Sequence, residues 1–199
     1  FVNNATLTFN SWNAPLVAAE VVIGATVTHL AQSATAPHPV TGEWVPDNRV
    51  WIVCSNLTVA AGAKIDVNAR GYRAYAGPGG AVPGASSYWG GSYGGIHGYA
   101  GGTNLPYGSF EAPADPGSGG TMGAGGGAVR IDAVDHIRID GSILADGGGG
   151  GYWSAGGGSG GGVYLTCATL SGGGVVRADG GDCSIPGASG GGGGGRIAV

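Results

Sequence analysis

The chain has 199 residues, of which 47 are glycine, 42 % are hydrophobic and 10 % are charged, with a formal net charge of −4. Collagen is excluded because no strict Gly-X-Y period runs through the glycines, and a helical enzyme is excluded for the glycine-dense part because each Gly costs a helix about 1 kcal/mol relative to Ala. An acidic balance with one lysine, Lys64, points away from nucleic acid and anionic membranes, and so many apolar residues with so few charges do not fit charge-driven disorder.

Residues 1–49 hold few glycines. Ala5, Leu7 and Phe9 alternate with Asn4, Thr6 and Thr8, which predicts a strand. Val21-Val22-Ile23 and Thr26-Val27-Thr28 predict one or two more, and Pro37, Pro39, Gly42 and Pro46 mark a loop. We read this part as a cap over a sheet edge, or as a strand donor to a second copy of the chain.

From residue 50 the chain repeats. Val50-Trp51-Ile52-Val53-Cys54, Leu57-Thr58-Val59 and Ile65-Asp66-Val67-Asn68-Ala69-Arg70-Gly71 form three short strands. A long excursion over 72–127 follows, carrying Tyr72, Tyr75, Tyr88, Trp89, Tyr93 and Tyr99. The next copy starts at Gly126-Gly127-Ala128-Val129-Arg130-Ile131-Asp132-Ala133 and the third at Gly161-Gly162-Val163-Tyr164-Leu165-Thr166-Cys167. A last segment, Gly194-Gly195-Arg196-Ile197-Ala198-Val199, begins a fourth. Gly141-Ser142-Ile143-Leu144-Ala145-Asp146-Gly147-Gly148 and Gly174-Val175-Val176-Arg177-Ala178-Asp179-Gly180-Gly181 are the third strands of the middle copies. Alternation places Ile131, Ala133, Ile137, Ile139, Ile143 and Ala145 inward, with Arg130, Asp132, Arg138 and Asp140 outward.

One such unit cannot bury its apolar face, but stacked units can. The predicted fold is all-β: a right-handed parallel β-helix (β-solenoid) over 50–199 with long Gly-rich loops, preceded by the amino-terminal β cap or donor segment over 1–49. The glycine runs are expected to be ordered, lying extended and backbone to backbone in a polyproline-II-like way. Cys54, Ala133, Cys167 and Val199 share one column of the repeat. Cys54 and Cys167 then lie two strands apart, about 9–10 Å, too far for a disulfide. A bond between Cys167 and Cys183, or free thiols, is expected.

Phrases such as Tyr107-Gly108-Ser109-Phe110-Glu111-Ala112-Pro113-Ala114-Asp115-Pro116-Gly117, the two Ala-Asp-Gly-Gly turns and the closing Gly-Gly-Arg-Ile-Ala-Val resemble the Gly-rich repeat regions of large bacterial extracellular, adhesin-like surface proteins. The resemblance covers roughly residues 50–199. It implies a parallel β-helix on the cell exterior and carries no catalytic residues.

Further cues agree with an extracellular setting. The chain starts at Phe1 without a basic leader, which reads as a mature or excised segment, and no apolar run is long enough for a membrane span. Asn4-Ala5-Thr6 and Asn56-Leu57-Thr58 are glycosylation sequons, making Asn4 and Asn56 the glycoprotein candidates. Tyr88, Trp89, Tyr93, Tyr152 and Trp153 offer flat surfaces for stacking on sugars, against the plainer reading that they cover the flank of the fold. Asp179 and Asp182 form at most a weak Ca²⁺ position, and His29, His38, His97 and His136 have no metal-ligand spacing, so no cofactor and no metal is expected. Asp146 and Asp179 recur before Gly-Gly as turn residues rather than as a catalytic carboxylate pair.

The expected function is structural and not enzymatic: a subunit of an extracellular filament or surface layer whose copies join head to tail. The alternative is a monomeric polysaccharide-binding, adhesin-like module, and behind it a polysaccharide lyase or hydrolase.

Overall fold

A computed structural model describes residues 5–82, 88–98, 104–151, 155–183 and 189–199. Eleven strands occur among them and no helix: β1 (Thr6–Phe9), β2 (Leu16–Ile23), β3 (Thr26–His29), β4 (Val50–Val59), β5 (Lys64–Asp66), β6 (Ala128–Ile139), β7 (Ser142–Leu144), β8 (Gly162–Thr166), β9 (Thr169–Ser171), β10 (Val175–Arg177) and β11 (Arg196–Ala198). They form a five-stranded sheet in the order β1-β3-β5-β7-β10 and a six-stranded sheet in which β11-β8-β6-β4-β2 are neighbours and β9 pairs with β6. Every pairing is parallel.

These sheets correct the expected fold. The predicted β-helix had three strands per coil, lateral loops and a separate amino-terminal cap or donor. Two parallel sheets are found instead. The predicted first and second strands are one continuous strand in β4 and again in β6, which turn the corner at a bulge where Cys54 pairs with Ala133 but Asn56 pairs with His136. The extra residues at the bulge are exposed, Val134 at 72 %. Residues 1–49 are not a cap: β1 and β3 belong to one sheet and β2 to the other, in register with the later strands. The expected donor strand is thus paired within its own chain. Strand order is that of crossover-connected parallel sheets, the connectivity of α/β folds, with strands of the other sheet and glycine segments standing where helices stand in those folds. The last strand also departs from the expected column, because Ile197 pairs with Val163 and not with Leu165.

Inward and outward faces follow the alternation. Ile131, Ala133, Ile137, Ile139, Ile143 and Ala145 are buried in one apolar cluster with Ile23, Val27, Ile52, Leu57, Ile65, Val163 and Leu165. Both sheets contribute to it, so parallel strands too short to be stable alone share one core.

The glycine runs are ordered. In segment 157–161, Gly157 and Gly160 donate to Gly190 and Gly193, while Gly158 and Gly161 donate to Gly148 and Ala145. Donors three residues apart therefore reach the same neighbouring segment, the three-residue period of polyproline-II-like backbone. The same period joins Gly147 and Gly150 to Asp179 and Asp182, and Gly192 and Gly195 to Gly181 and Ala178. A Cβ on Gly158 would collide with the Ala124 carbonyl oxygen, so side chains are excluded by the neighbouring backbone. Glycine is dense here because the layer is held by main-chain hydrogen bonds at closest approach.

Candidate functional site

Two features stand out: the two ends of the inter-sheet core, and a row of cations and rings on the outer face of the six-stranded sheet.

The core runs out at both ends of the sheets. Inward residues of the middle strands are sealed, with Val27, Ile52, Ile137, Ile143 and Val163 at most 1 % exposed. Their counterparts on the end strands are not. Leu16, the register partner of Ile52, is 37 % exposed, Leu170 beside Ile137 is 45 %, and Ile197 beside Val163 is 44 %. At the β1/β2 end, Leu7, Phe9, Ala14, Pro15 and Leu16 line an open cavity of about 220 Å³. At the other end, Ile139, Leu170, Gly172, Gly174 and Val176 line one of about 230 Å³.

On the outer face, Trp51, Arg130 and Tyr164 are register partners on β4, β6 and β8. The Arg49 guanidinium lies 4.7 Å from the Trp12 ring centre and 4.1 Å from that of Trp51. Arg130 lies 5.1 Å from Trp51 and 5.9 Å from Tyr164. The row thus alternates ring and cation from Trp12 to Tyr164. Beside it, Asp132 accepts from Trp51 Nε1 at 2.8 Å, from Arg130 Nε at 2.8 Å and from Thr166 Oγ1 at 3.3 Å. Burial raises the Asp132 carboxyl, but these hydrogen bonds outweigh it and hold the group below the usual carboxylate range.

Within the glycine layer, Tyr93 and Tyr107 pack ring to ring at 4.8 Å, and Ser118 Oγ donates to the Tyr107 hydroxyl at 2.9 Å. Burial raises both phenols, as it raises Asp115 beside them.

Among the described residues, the expected site residues are not brought together. Tyr93 is fully buried and Trp89 stacks on His97 at 6.2 Å, while Tyr88 is half-buried, so this loop covers the fold. Tyr152, Trp153 and Asn4 lie outside the described residues. Asn56 is half-buried and donates through Nδ2 to Glu20 Oε1 at 2.6 Å. Cys54, Cys167 and Cys183 are free thiols, so the Cys167–Cys183 bond is not made. Asp179 and Asp182 share a cavity with Asp146, but its cation is Arg177, bonded to Asp146 at 2.6 Å and Asp179 at 3.4 Å. No group of three or more His, Cys, Asp or Glu side chains placed to hold a metal occurs among the described residues, and no helix there is long and apolar enough to cross a membrane. The ring–cation row was not foreseen from the sequence. Its signal was the outward pattern Arg49-x-Trp51 and Arg130-x-Asp132.

The chain matches no family model, no curated protein and no solved structure. The resemblance to bacterial surface proteins therefore rests on the residues alone.

Proposed function

We propose that the chain is a structural subunit of an extracellular filament or surface layer, in which copies join head to tail. The observation that supports this most directly is the pair of uncovered core ends. Leu16 at one end and Leu170 at the other are inward residues exposed at 37 % and 45 %, with no further strand over them among the described residues. Strands run parallel within each sheet. The β1/β2 edge of one copy therefore meets the β9/β10/β11 edge of another with the polarity that extends both sheets. Such a contact is heterologous and propagates if it does not close, and the main-chain groups of both edges are satisfied by it.

Sedimentation velocity and electron microscopy over a concentration series test the reading. Wild-type chain is expected to form polymers. Leu16→Glu and Leu170→Lys each leave one end intact, so each alone is expected to stay monomeric. Their equimolar mixture is expected to stop at dimers. Wild-type chain that remains monodisperse at high concentration overturns the proposal.

A further inference from the structure

We propose that the ring–cation row on the six-stranded sheet is a binding site for an acidic polysaccharide, with a sugar carboxylate seated at Arg49. This site is separate from the core ends and does not depend on assembly.

Arg49 carries the argument. It is 6 % exposed, yet no ion pair and no hydrogen bond to its guanidinium occurs among the described residues, and its Nε is sealed from solvent without a partner. The neighbouring cation is accounted for: Arg130 is paired with Asp132. Asp132 accepts from Arg130, Trp51 and Thr166, and although its charge favours the Arg49 guanidinium it makes no direct ion pair with it. One positive charge is thus held between two indoles with its hydrogen-bonding capacity unused. Guanidinium and carboxylate form short, charge-assisted bonds, and such a bond is strongest where water is largely excluded.

The surroundings select a saccharide. Trp51 and Tyr164 are half-buried and stand two strands apart, roughly 9–10 Å, the scale of a disaccharide. Thr166 stands in the adjoining row, donates its hydroxyl proton to Asp132 and keeps its acceptor capacity for a sugar hydroxyl. A run of sugar rings can therefore lie across the strands, with apolar ring edges on one side and polar groups on the other. Nucleic acid would need many more cations than a chain with 8 Lys and Arg and a net charge of −4 supplies.

The test is calorimetric titration of the intact chain with polygalacturonate, alginate and hyaluronate, and with methyl-esterified polygalacturonate as the uncharged control. A Leu16→Glu background keeps self-association apart from binding. At least one acidic polymer is expected to bind, and more weakly at high salt. The ester is expected to bind about tenfold more weakly or not at all. Arg49→Lys removes the planar fork while keeping the charge, and Tyr164→Ala removes a half-buried ring. Each is expected to weaken binding by about tenfold, with circular dichroism confirming that the variants fold. Absence of binding to all three acidic polymers overturns the proposal. So does equal binding of the ester, or affinity unchanged by both substitutions.

Discussion

The imidazole Nε2 of His29 accepts the backbone N–H of Ala128 at 3.1 Å, across 99 residues of sequence. Its Nδ1–H donates to the Leu30 carbonyl at 2.6 Å. The ring is fully buried at the end of β3 and fills the space that a Cβ on Gly127 would need. One neutral histidine thus ties an early strand of one sheet to the first residue of β6 in the other.

Acid should break this tie. Burial lowers the His29 pKa from 6.5 to about 4, with Arg70 adding to the effect and the Leu30 hydrogen bond and Asp47 opposing it. The unfolded chain therefore binds a proton more readily than the folded one. Stability is complete above pH 6.5 and falls as pH drops toward about 4, by on the order of 3 kcal/mol in all. Urea midpoints at a series of pH values check this. His29→Leu is expected to flatten the profile in that window and to lower stability at pH 7 by about 1–3 kcal/mol, because the Ala128 N–H loses its acceptor. A profile identical to wild type would remove His29 as the cause.

The glycine layer predicts a contrast between two glycines. At Gly158 the Ala124 carbonyl and the Gly125 nitrogen occupy the space a Cβ would take, whereas a Cβ on Gly173 would have nothing within 4 Å. Gly158→Ala must push backbone aside, and overpacking of that kind costs about 1–3 kcal/mol or more. Gly173→Ala should stay within about 0.5 kcal/mol of wild type. Thermal melts of the two variants decide whether the layer is as closely packed in solution.

The strands and their inward faces were legible in the sequence because apolar residues such as Ile137 and Ile139, and then Ile143 and Ala145, fall two positions apart, with Arg138 and Asp140 on the other face. Whole-fold features were less so. Nothing in Ser55 or Val134 announces that two short strands run on through a bulge. The shift of Ile197 onto Val163 is invisible where glycines alone set the spacing. Three-residue periodicity in the glycine layer leaves no side-chain pattern, since the information is carried by main-chain donors. Tyr93 looked like a ligand platform because sequence does not distinguish a buried ring from an exposed one. The row from Trp12 to Tyr164 needs the register that sets Trp51 beside Arg130 and Arg130 beside Tyr164, residues far apart in the chain, and only folding supplies it.

The cysteines should titrate as three thiols in denaturant without reductant. In the native chain they should differ. Cys54 is 4 % exposed, and burial, Glu20 and Asp132 all raise its pKa. The thiolate is the reactive form, so Cys54 should react last with a disulfide reagent, after the half-buried Cys167 and Cys183. A reductant-dependent thiol count would instead show a bond between two of them.

Asp132 provides a second pH window that can be separated from that of His29. Its carboxylate is held below the ordinary range despite burial, by hydrogen bonds from Arg130, Trp51 and Thr166. The folded chain therefore keeps this group ionised at pH values where the unfolded chain protonates it. Its contribution is present above the usual carboxylate pKa and is lost only as pH falls below it, whereas that of His29 is lost at higher pH. Asp132→Asn should remove the lower step and leave the upper one. It should also cost about 1–3 kcal/mol at pH 7, because Arg130 and the Trp51 N–H lose a charged acceptor. Paired pH titrations of stability for His29→Leu and Asp132→Asn should each lack a different step. If Asp132→Asn alters only the upper step, the charge row on the outer sheet does not contribute to stability in the way its hydrogen bonds indicate.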